Sequence, residues 1–386
     1  MTWASLPIAA IARPRLGGNY PNQPLPTRRP LIKMGNIARI DIDLARVEYI
    51  PESATVDDVH MLKFGDVLFN TRNTLDLVGK VSIWRDELPV AYYNSNILRL
   101  EFRPEICGDS RYFGYALNSH SIIERIRALA TGTTSVAAVY TRDLLRLELP
   151  VPNRQEQRAI AEVLNDADQM IARLERLVAK KRLIRQGLKQ ELLAGRTRLP
   201  GYNDVWRLRK WSDVTARRPG NGMIKGRLSA HRTRRAQFQG FSASGPDVWL
   251  ATYDFEGEGV VVSAVGSRCG KAFLATGRWS AIANTHVVMP VKGQLDVQFA
   301  HLYFNDGEFW IKGGSGQPFV QMKASLHRDV LLPPLAEQRA IGVVLADADA
   351  EIDALERRIR ATRAIKQGMM QELLSGRTRL VREGAA

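Results

Sequence analysis

Residues 156–199 read EQRAIAEVLNDADQMIARLERLVAKKRLIRQGLKQELLAGRTRL, and residues 337–380 read EQRAIGVVLADADAEIDALERRIRATRAIKQGMMQELLSGRTRL. The two stretches align without a gap. The first five residues and the last five residues of one copy are identical to those of the other. A match of this length marks an internal repeat, so one structural plan is used twice in this chain.

Each copy predicts one long helix. Apolar residues recur at alternating spacings of four and three, which is the pattern of a coiled-coil seam. The predicted seam residues are Ile160, Leu164, Ala167, Ile171, Leu174, Val178, Ile341, Leu345, Ala348, Ile352, Leu355 and Ile359. Beyond a break at Lys181 and Thr362, Ile184 and Ile365 would continue the seam in a shifted phase and lead to Leu188 and Met369. A helix from about residue 155 to about 194 would be roughly 60 Å long.

A helix with one apolar face needs a partner. The other copy in the same chain supplies one at high effective concentration, in an antiparallel pair. A homodimer is the alternative, and we favour the intramolecular pair. Gly187 and Gly368 lie inside the helices, where glycine costs about 1 kcal/mol relative to Ala. They are either tolerated defects or places where another helix approaches closely.

The segments outside the repeat mix short β-rich runs with turns and shorter helices. We predict an α+β fold with a pseudo-two-fold internal repeat: mixed domains at 1–150 and 201–332, and helical regions at 151–200 and 333–386. Scattered identities suggest that the two domains are related. We match Asp66-Val67 with Asp247-Val248, Thr71 with Thr252, Gly79-Lys80 with Gly270-Lys271, and Asn94 with Asn284.

The chain of 386 residues carries a formal net charge of +15, with a pI near 10.0. This excess favours a polyanion as the partner, and nucleic acid and an anionic membrane surface are the main candidates. Two cysteines are too few for a disulfide framework, and no apolar run is long enough for a membrane span. The first residues lack the basic segment of a signal peptide, so we expect a cytoplasmic protein.

Basic residues cluster with polar ones in both domains, as is typical of DNA contacts. The candidates in the first domain are Arg13, Arg15, Arg28, Arg29, Lys33, Asn70, Arg72, Asn73 and Thr133. Those in the second are Arg217, Arg218, Lys225, Arg227, Arg232, Arg234, Arg235, Ser315 and Gln317. The turn-rich segments 131–135 and 313–317 occupy similar places before each helix, as phosphate contacts or as plain loops.

Catalytic motifs are missing from the sequence. Residues 266–272 resemble a P-loop, but the glycine spacing is one residue short and Ala272 replaces the Mg²⁺-binding hydroxyl. A turn shared with Gly79-Lys80 explains them better. The six histidines have no metal-site spacing. We therefore predict a recognition protein without catalytic or metal residues.

The ends of the repeat carry a family resemblance. Each helix begins with Pro and Glu-Gln-Arg (152–158, and the shorter 334–339) and ends with Gln-Glu-Leu-Leu-x-Gly-Arg (190–196 and 371–377). Doubled, these motifs resemble the specificity subunit of type I restriction–modification enzymes. The resemblance covers nearly the whole chain, and residues 65–69 also resemble a recurrent strand start of its recognition domains.

The resemblance implies a bipartite, asymmetric DNA target with one half read by each domain, and paired helices that set the gap. It implies two methyltransferase subunits that modify adenine N6 and restriction subunits that translocate DNA. S-adenosylmethionine, ATP and Mg²⁺ would then belong to these partners, with no cofactor in this chain. The alternatives are the recognition subunit of a related methylation or phage-defence system, and a non-catalytic coiled-coil scaffold that binds nucleic acid.

Overall fold

The computed structural model describes residues 3–133 and 136–381. The chain divides into two compact units, Met1–Glu175 with Arg357–Ala386, and Arg176–Glu356. Each unit therefore combines one globular part with half of each long helix. Among the described residues, no helix is both long enough and apolar enough to cross a lipid bilayer.

The first globular part contains twelve strands and four short helices within the described residues. In chain order they are β1 Ala4–Pro7, α1 Ile8–Ile11, β2 Ala12–Leu16, β3 Pro30–Ile32, β4 Glu48–Tyr49, β5 Val67–Asn70, β6 Arg72–Asn73, β7 Val81–Ile83, β8 Tyr92–Tyr93, β9 Ile97–Phe102, α2 Ser110–Leu117, α3 His120–Leu129, β10 Thr131–Gly132, β11 Ala137–Ala138, α4 Thr141–Leu144 and β12 Glu148–Val151. The long helix α5, Arg154–Leu193, follows.

The second globular part follows a similar order, with a single helix where the first part has α2 and α3. It contains β13 Arg207–Lys210, α6 Trp211–Val214, β14 Thr215–Pro219, β15 Phe238–Ser242, β16 Gly245–Leu250, β17 Phe255–Glu256, β18 Gly259–Ser263, β19 Ala272–Ala275, β20 Arg278–Ala281, β21 Thr285–Pro290, α7 Val297–Phe304, β22 Lys312–Gly313, β23 Phe319–Val320, α8 Met322–Leu326 and β24 Asp329–Leu332. The second long helix is α9, Leu335–Leu373.

The two globular parts share one topology. Each has a four-stranded antiparallel sheet, β2-β9-β5-β7 in the first and β14-β21-β18-β19 in the second. Each has a further sheet built around one parallel pair, β3 with β8 and β15 with β20. In each, the first strand pairs with the last, β1 with β12 and β13 with β24. The predicted α+β fold with an internal repeat is confirmed.

The structure corrects two of the predicted matches between the domains. Asp66-Val67 does not match Asp247-Val248, because Val67 begins β5 of the antiparallel sheet whereas Val248 lies in β16 of the other sheet. Thr71 matches Ala264 rather than Thr252: each donates its N–H to an asparagine carbonyl, of Asn96 and of Asn284. Asn284 therefore corresponds to Asn96 and not to Asn94. These errors arose because the segments that connect equivalent strands differ in length between the two domains.

The match of Gly79-Lys80 with Gly270-Lys271 is correct. Gly79 N–H donates to the carbonyl of Asn70 at the end of β5, and Gly270 N–H donates to the carbonyl of Ser263 at the end of β18, both at 2.9 Å. Both glycines have positive φ, +73° and +87°. The residues that resemble a P-loop thus form a β-hairpin turn common to both domains.

The Glu-Gln pair at the start of each long helix is buried and binds backbone groups. Gln157 Nε2 donates to the carbonyls of Ile106 and Pro152, and its Oε1 accepts from Gly108 N–H at 2.7 Å. Gln338 makes the same three bonds with Gln294, Pro333 and Asp296. The repeated motif therefore fastens each helix to the globular part that precedes it.

The long helices also end alike. Gly195 and Gly376 take φ of +66° and +73°, and the next residue, Arg196 or Arg377, donates its N–H to a carbonyl five residues earlier. This is the Schellman arrangement, in which glycine adopts the left-handed conformation that other residues avoid. The predicted helix ends are confirmed to within a residue or two.

Within each unit the two long helices run antiparallel. In the first unit, Asp168 and Glu175 of α5 form ion pairs with Lys366 and Arg363 of α9. In the second, Lys181 and Arg185 pair with Glu351 and Asp349 at 2.8 and 2.7 Å. The helices of one chain thus partner each other, as predicted.

The predicted seam residues are all buried or half-buried, but they serve two purposes. Ile160 and Leu164 belong to the core of the first globular part, and Ile341 and Leu345 to that of the second. Leu174, Val178, Ile352 and Ile359 are buried along the middle of the helices. The seam residues Ala167, Ile171, Ala348 and Leu355 are half-buried.

Only the end of the predicted continuation of the seam is confirmed, because Leu188 and Met369 are half-buried against the two hydrophobic cores. Ile184 and Ile365 are 53% and 62% exposed, because their phase turns them away from the buried face. A Cβ built at Gly187 or Gly368 would meet nothing within 4 Å. Within this chain, these glycines are therefore not places of close helix approach.

Candidate nucleic-acid interface

The candidate arginines of β2 lie on an edge strand of the antiparallel sheet. Arg13 is exposed, whereas Arg15 is half-buried and donates from Nε and Nη2 to the two carboxylate oxygens of Glu101. The hydrogen bond from Arg15, with a further one from Arg99, holds the pKa of the Glu101 carboxyl below its ordinary value. Arg15 is therefore neutralised before any ligand arrives.

The remaining basic candidates before Lys33 are also partly engaged. Arg29 Nη1 donates to the carbonyls of Glu52 and Ala54, and its guanidinium lies 3.6 Å from the Glu52 carboxylate. Lys33 Nζ lies 2.9 Å from the carboxylate of Glu48. Arg28 is exposed, and its side chain has no carboxylate partner among the described residues. Of these three, only Arg28 offers an uncompensated charge.

A small sheet brings together three other candidates. Arg72 and Asn73 form β6, which pairs with β11, and β11 pairs with β10 just before Thr133. Arg72 and Thr133 are exposed, and Thr133 N–H donates to the Val136 carbonyl at 2.8 Å. Thr134 and Ser135 of the same segment lie outside the described residues. The hairpin β22–β23 occupies the equivalent place in the second unit and carries exposed Ser315 and Gln317.

Asn70 does not lie on this surface. It is completely buried, and its Oδ1 accepts a hydrogen bond from Arg72 N–H. Asn70 therefore shapes the turn that presents Arg72, which corrects its predicted role as a DNA-contacting side chain.

The basic candidates of the second unit are more open. Arg217 and Arg218 lie exposed on β14, another edge strand. Five more lie between β14 and β15 in residues 220–237, which we call the basic loop. They are Lys225, Arg227, Arg232, Arg234 and Arg235, and all are exposed. Lys225 Nζ lies 2.5 Å from Asp247, and the other four have no ion pair within the described part of the chain.

Sequence reasoning missed the central cation of the first unit. Arg99 of β9 is only 9% exposed in its side chain and binds both Asp66 and Glu101, at 3.1 and 2.8 Å. It lies 5.3 Å from the centre of the Tyr93 ring, and burial raises the pKa of Tyr93 to about 12. An arginine within the apolar run of residues 97–102 was the available signal. Arg99, Asp66 and Glu101 line a cavity of about 590 Å³.

An aromatic group was also missed in the second unit. The Arg278 guanidinium lies 5.1 Å from the centre of the Tyr253 ring, and both residues are exposed. Stacked arginines and aromatic rings are surfaces on which nucleic-acid bases stack. Neither residue lies in a basic cluster of the sequence, so the search for such clusters did not identify this pair.

Several titratable side chains of the described residues are buried or half-buried and uncharged. Burial raises the pKa of the Cys107 thiol to about 11 and raises that of Cys269, so both thiols are protonated at neutral pH. Burial lowers the pKa of His60, His286 and His301 below the ordinary value, which keeps them neutral. Across residues 3–133 and 136–381, no group of three or more His, Cys, Asp or Glu side chains could hold a metal ion.

Comparison with known proteins agrees with the sequence resemblance. Residues 56–182 match the family model described as type I restriction modification DNA specificity domain. A putative type I restriction enzyme MjaX specificity subunit of Methanocaldococcus jannaschii is 25% identical over 166 residues, 42% of this chain and 38% of that protein. The MjaVIII specificity subunit of the same organism is 30% identical over 114 residues, 28% of this chain and 26% of that protein. The chain thus spans well under half the length of these relatives.

Solved structures share the fold over almost the whole chain. The S subunit of a type I restriction–modification system from M. genitalium has a TM-score of 0.67 at 16% identity, covering 97% of this chain and 96% of that one. A chain from a study of type I R-M complex assembly has a TM-score of 0.56 at 16% identity, covering 98% of each. The resemblance predicted from the helix motifs is confirmed.

Proposed function

We propose that this chain is the DNA-specificity subunit of a type I restriction–modification complex. The observation that carries the proposal is one fold built twice, on helices that share 27 of 44 aligned residues but with different exposed polar residues in the globular parts. Two readers of this kind suit an asymmetric target in two parts, with one half read by each globular part. The specificity domain matched by residues 56–182 supports this reading.

The chain itself would be non-catalytic and would act in the cytoplasm. Two methyltransferase subunits would bring S-adenosylmethionine and modify adenine N6, and restriction subunits would bring the ATP- and Mg²⁺-dependent reactions. Exposed apolar side chains at equivalent positions of the two helices, Ile184 and Ile365, support two equivalent docking places. Exposed apolar residues mark a contact with a protein partner when they are part of a contiguous apolar patch.

Methylation mapping tests the proposal. The chain and its genomically adjacent adenine methyltransferase are expressed together in a host without other adenine methylation, and the genome is sequenced with detection of N6-methyladenine. We expect one split motif, with two short defined parts and a gap between them. The matched control expresses the methyltransferase alone and should give no motif. Methylation that is the same with and without the chain would refute the proposal. DNA binding without methylation would instead favour a scaffold.

A further inference from the structure

Positive charge is divided unequally between the two globular parts. Residues 1–150 contain 18 Lys and Arg against 16 Asp and Glu, whereas residues 201–332 contain 17 against 10. The first part is thus nearly neutral, and the second carries a clear excess. A surface that binds the phosphates of DNA needs such an excess, because each contact replaces condensed counterions.

The difference is largest in two loops that occupy the same place in the topology. Residues 17–29 connect β2 to β3, and the basic loop connects β14 to β15. The first contains two cations, Arg28 and Arg29, of which Arg29 is held by Glu52. The basic loop contains five and has no Asp or Glu of its own.

The basic loop is also tethered, although its cations are exposed. Trp249 N–H donates to the Ser229 carbonyl at 2.8 Å, and the Arg232 guanidinium lies 5.7 Å from the centre of the Trp249 ring. Thr233 and Ala236 close a turn through two hydrogen bonds of 3.0 Å, and Arg234 and Arg235 are the two central residues of that turn. A tethered loop loses less entropy when it binds than a free one.

We propose that the basic loop is the main phosphate-binding element of this chain, so that the salt dependence of DNA binding comes mostly from the second unit. The proposal rests on the proposed function and adds a division of labour to it. The first unit, with Arg15 and Arg99 already paired to carboxylates, contributes affinity that depends less on salt. The partner of the loop is the duplex backbone, whatever its base sequence.

The test measures how affinity falls with salt for the complex of the chain with its methyltransferase. The ligands are a duplex carrying the methylated motif and a scrambled duplex. In R234Q/R235Q, the slope of log affinity against log salt should decrease in magnitude by about one for each arginine that contacts a phosphate. Binding should weaken by a similar factor on both duplexes, because phosphates carry no base information.

Two matched variants remove the same charge elsewhere. K292Q/K323Q changes exposed lysines of the second unit, and R13Q/R28Q changes exposed arginines of the first. Each should change the slope by less than half as much as R234Q/R235Q. An equal effect of R13Q/R28Q would overturn the division of labour. An equal effect of K292Q/K323Q would mean that the salt dependence comes from the overall positive charge of the second unit and not from the basic loop.

Other outcomes remain distinguishable. Should R234Q/R235Q fold poorly, R234K/R235K keeps the charges and should keep the slope, and a lost slope in that folded variant would contradict phosphate binding. If the unmodified complex binds both duplexes equally, the proposed function fails. In that case, the slopes of log affinity against log salt for the variants on the scrambled duplex still show whether the basic loop binds phosphates.

Discussion

At the scale of single residues, the Glu-Gln pair explains why the repeated helix starts are so similar. Glu337 accepts hydrogen bonds from Arg198 and from Trp206 Nε1, and Glu156 accepts the backbone N–H groups of Leu380 and Val381. Both glutamates are buried. A buried polar group that loses its partners carries a desolvation cost, so each pair tolerates little change.

A residue-scale prediction concerns the buried helix face. Leu174 is 6% exposed, and we expect Leu174→Lys to destabilise the protein by at least roughly 2 kcal/mol, the lower end of the loss for Leu→Ala in a core. Leu355→Lys, at a half-buried position, should have a smaller effect. Urea denaturation measures both.

The control for this prediction lies on the same helix. Leu183 is 70% exposed, so Leu183→Lys should change stability by no more than about 0.5 kcal/mol. If Leu174→Lys and Leu183→Lys behaved alike, the assignment of the buried face would be wrong.

At the scale of elements, each long helix contains an internal glycine whose missing side chain would have no neighbour within 4 Å. Gly187→Ala and Gly368→Ala add a methyl group into open space and should each raise stability by about 0.5–1 kcal/mol. Melting temperature measures the gain. Gly195→Ala is the contrasting variant and should lower it, because Gly195 has φ +66°.

Assembly provides a second measurement on the same variants. If Gly187→Ala and Gly368→Ala stabilise the isolated chain but weaken capture of the methyltransferase, the glycines serve close approach by that partner. If either variant were less stable than the unmodified chain, the conclusion that a methyl group fits at these positions without contact would be wrong.

At the scale of the whole molecule, the repeated topology predicts modular recognition. Replacing residues 1–150 with the corresponding domain of a relative should change one half of the methylated motif and leave the other half intact. The physical reason is that each globular part has a hydrophobic core of its own. Methylation mapping of the chimera gives the answer, and a change in both halves would contradict two independent readers.

The sequence alone was sufficient for the helices, their ends and their pairing. Helical periodicity, the terminal glycines and the Glu-Gln starts are local signals, and the repeat shows each of them twice. The resemblance to specificity subunits rested on these same residues. Local signals of this kind do not depend on how distant segments meet.

Tertiary structure alone decided which candidate side chains are open. Asn70 and Arg72 are two positions apart, yet one is fully buried and the other exposed. Arg15 is neutralised by Glu101, far away in sequence, whereas Arg234 has no such partner in the described structure. Charge compensation and burial arise when strands distant in the chain pair with each other, and inserts of unequal length concealed that pairing from the sequence.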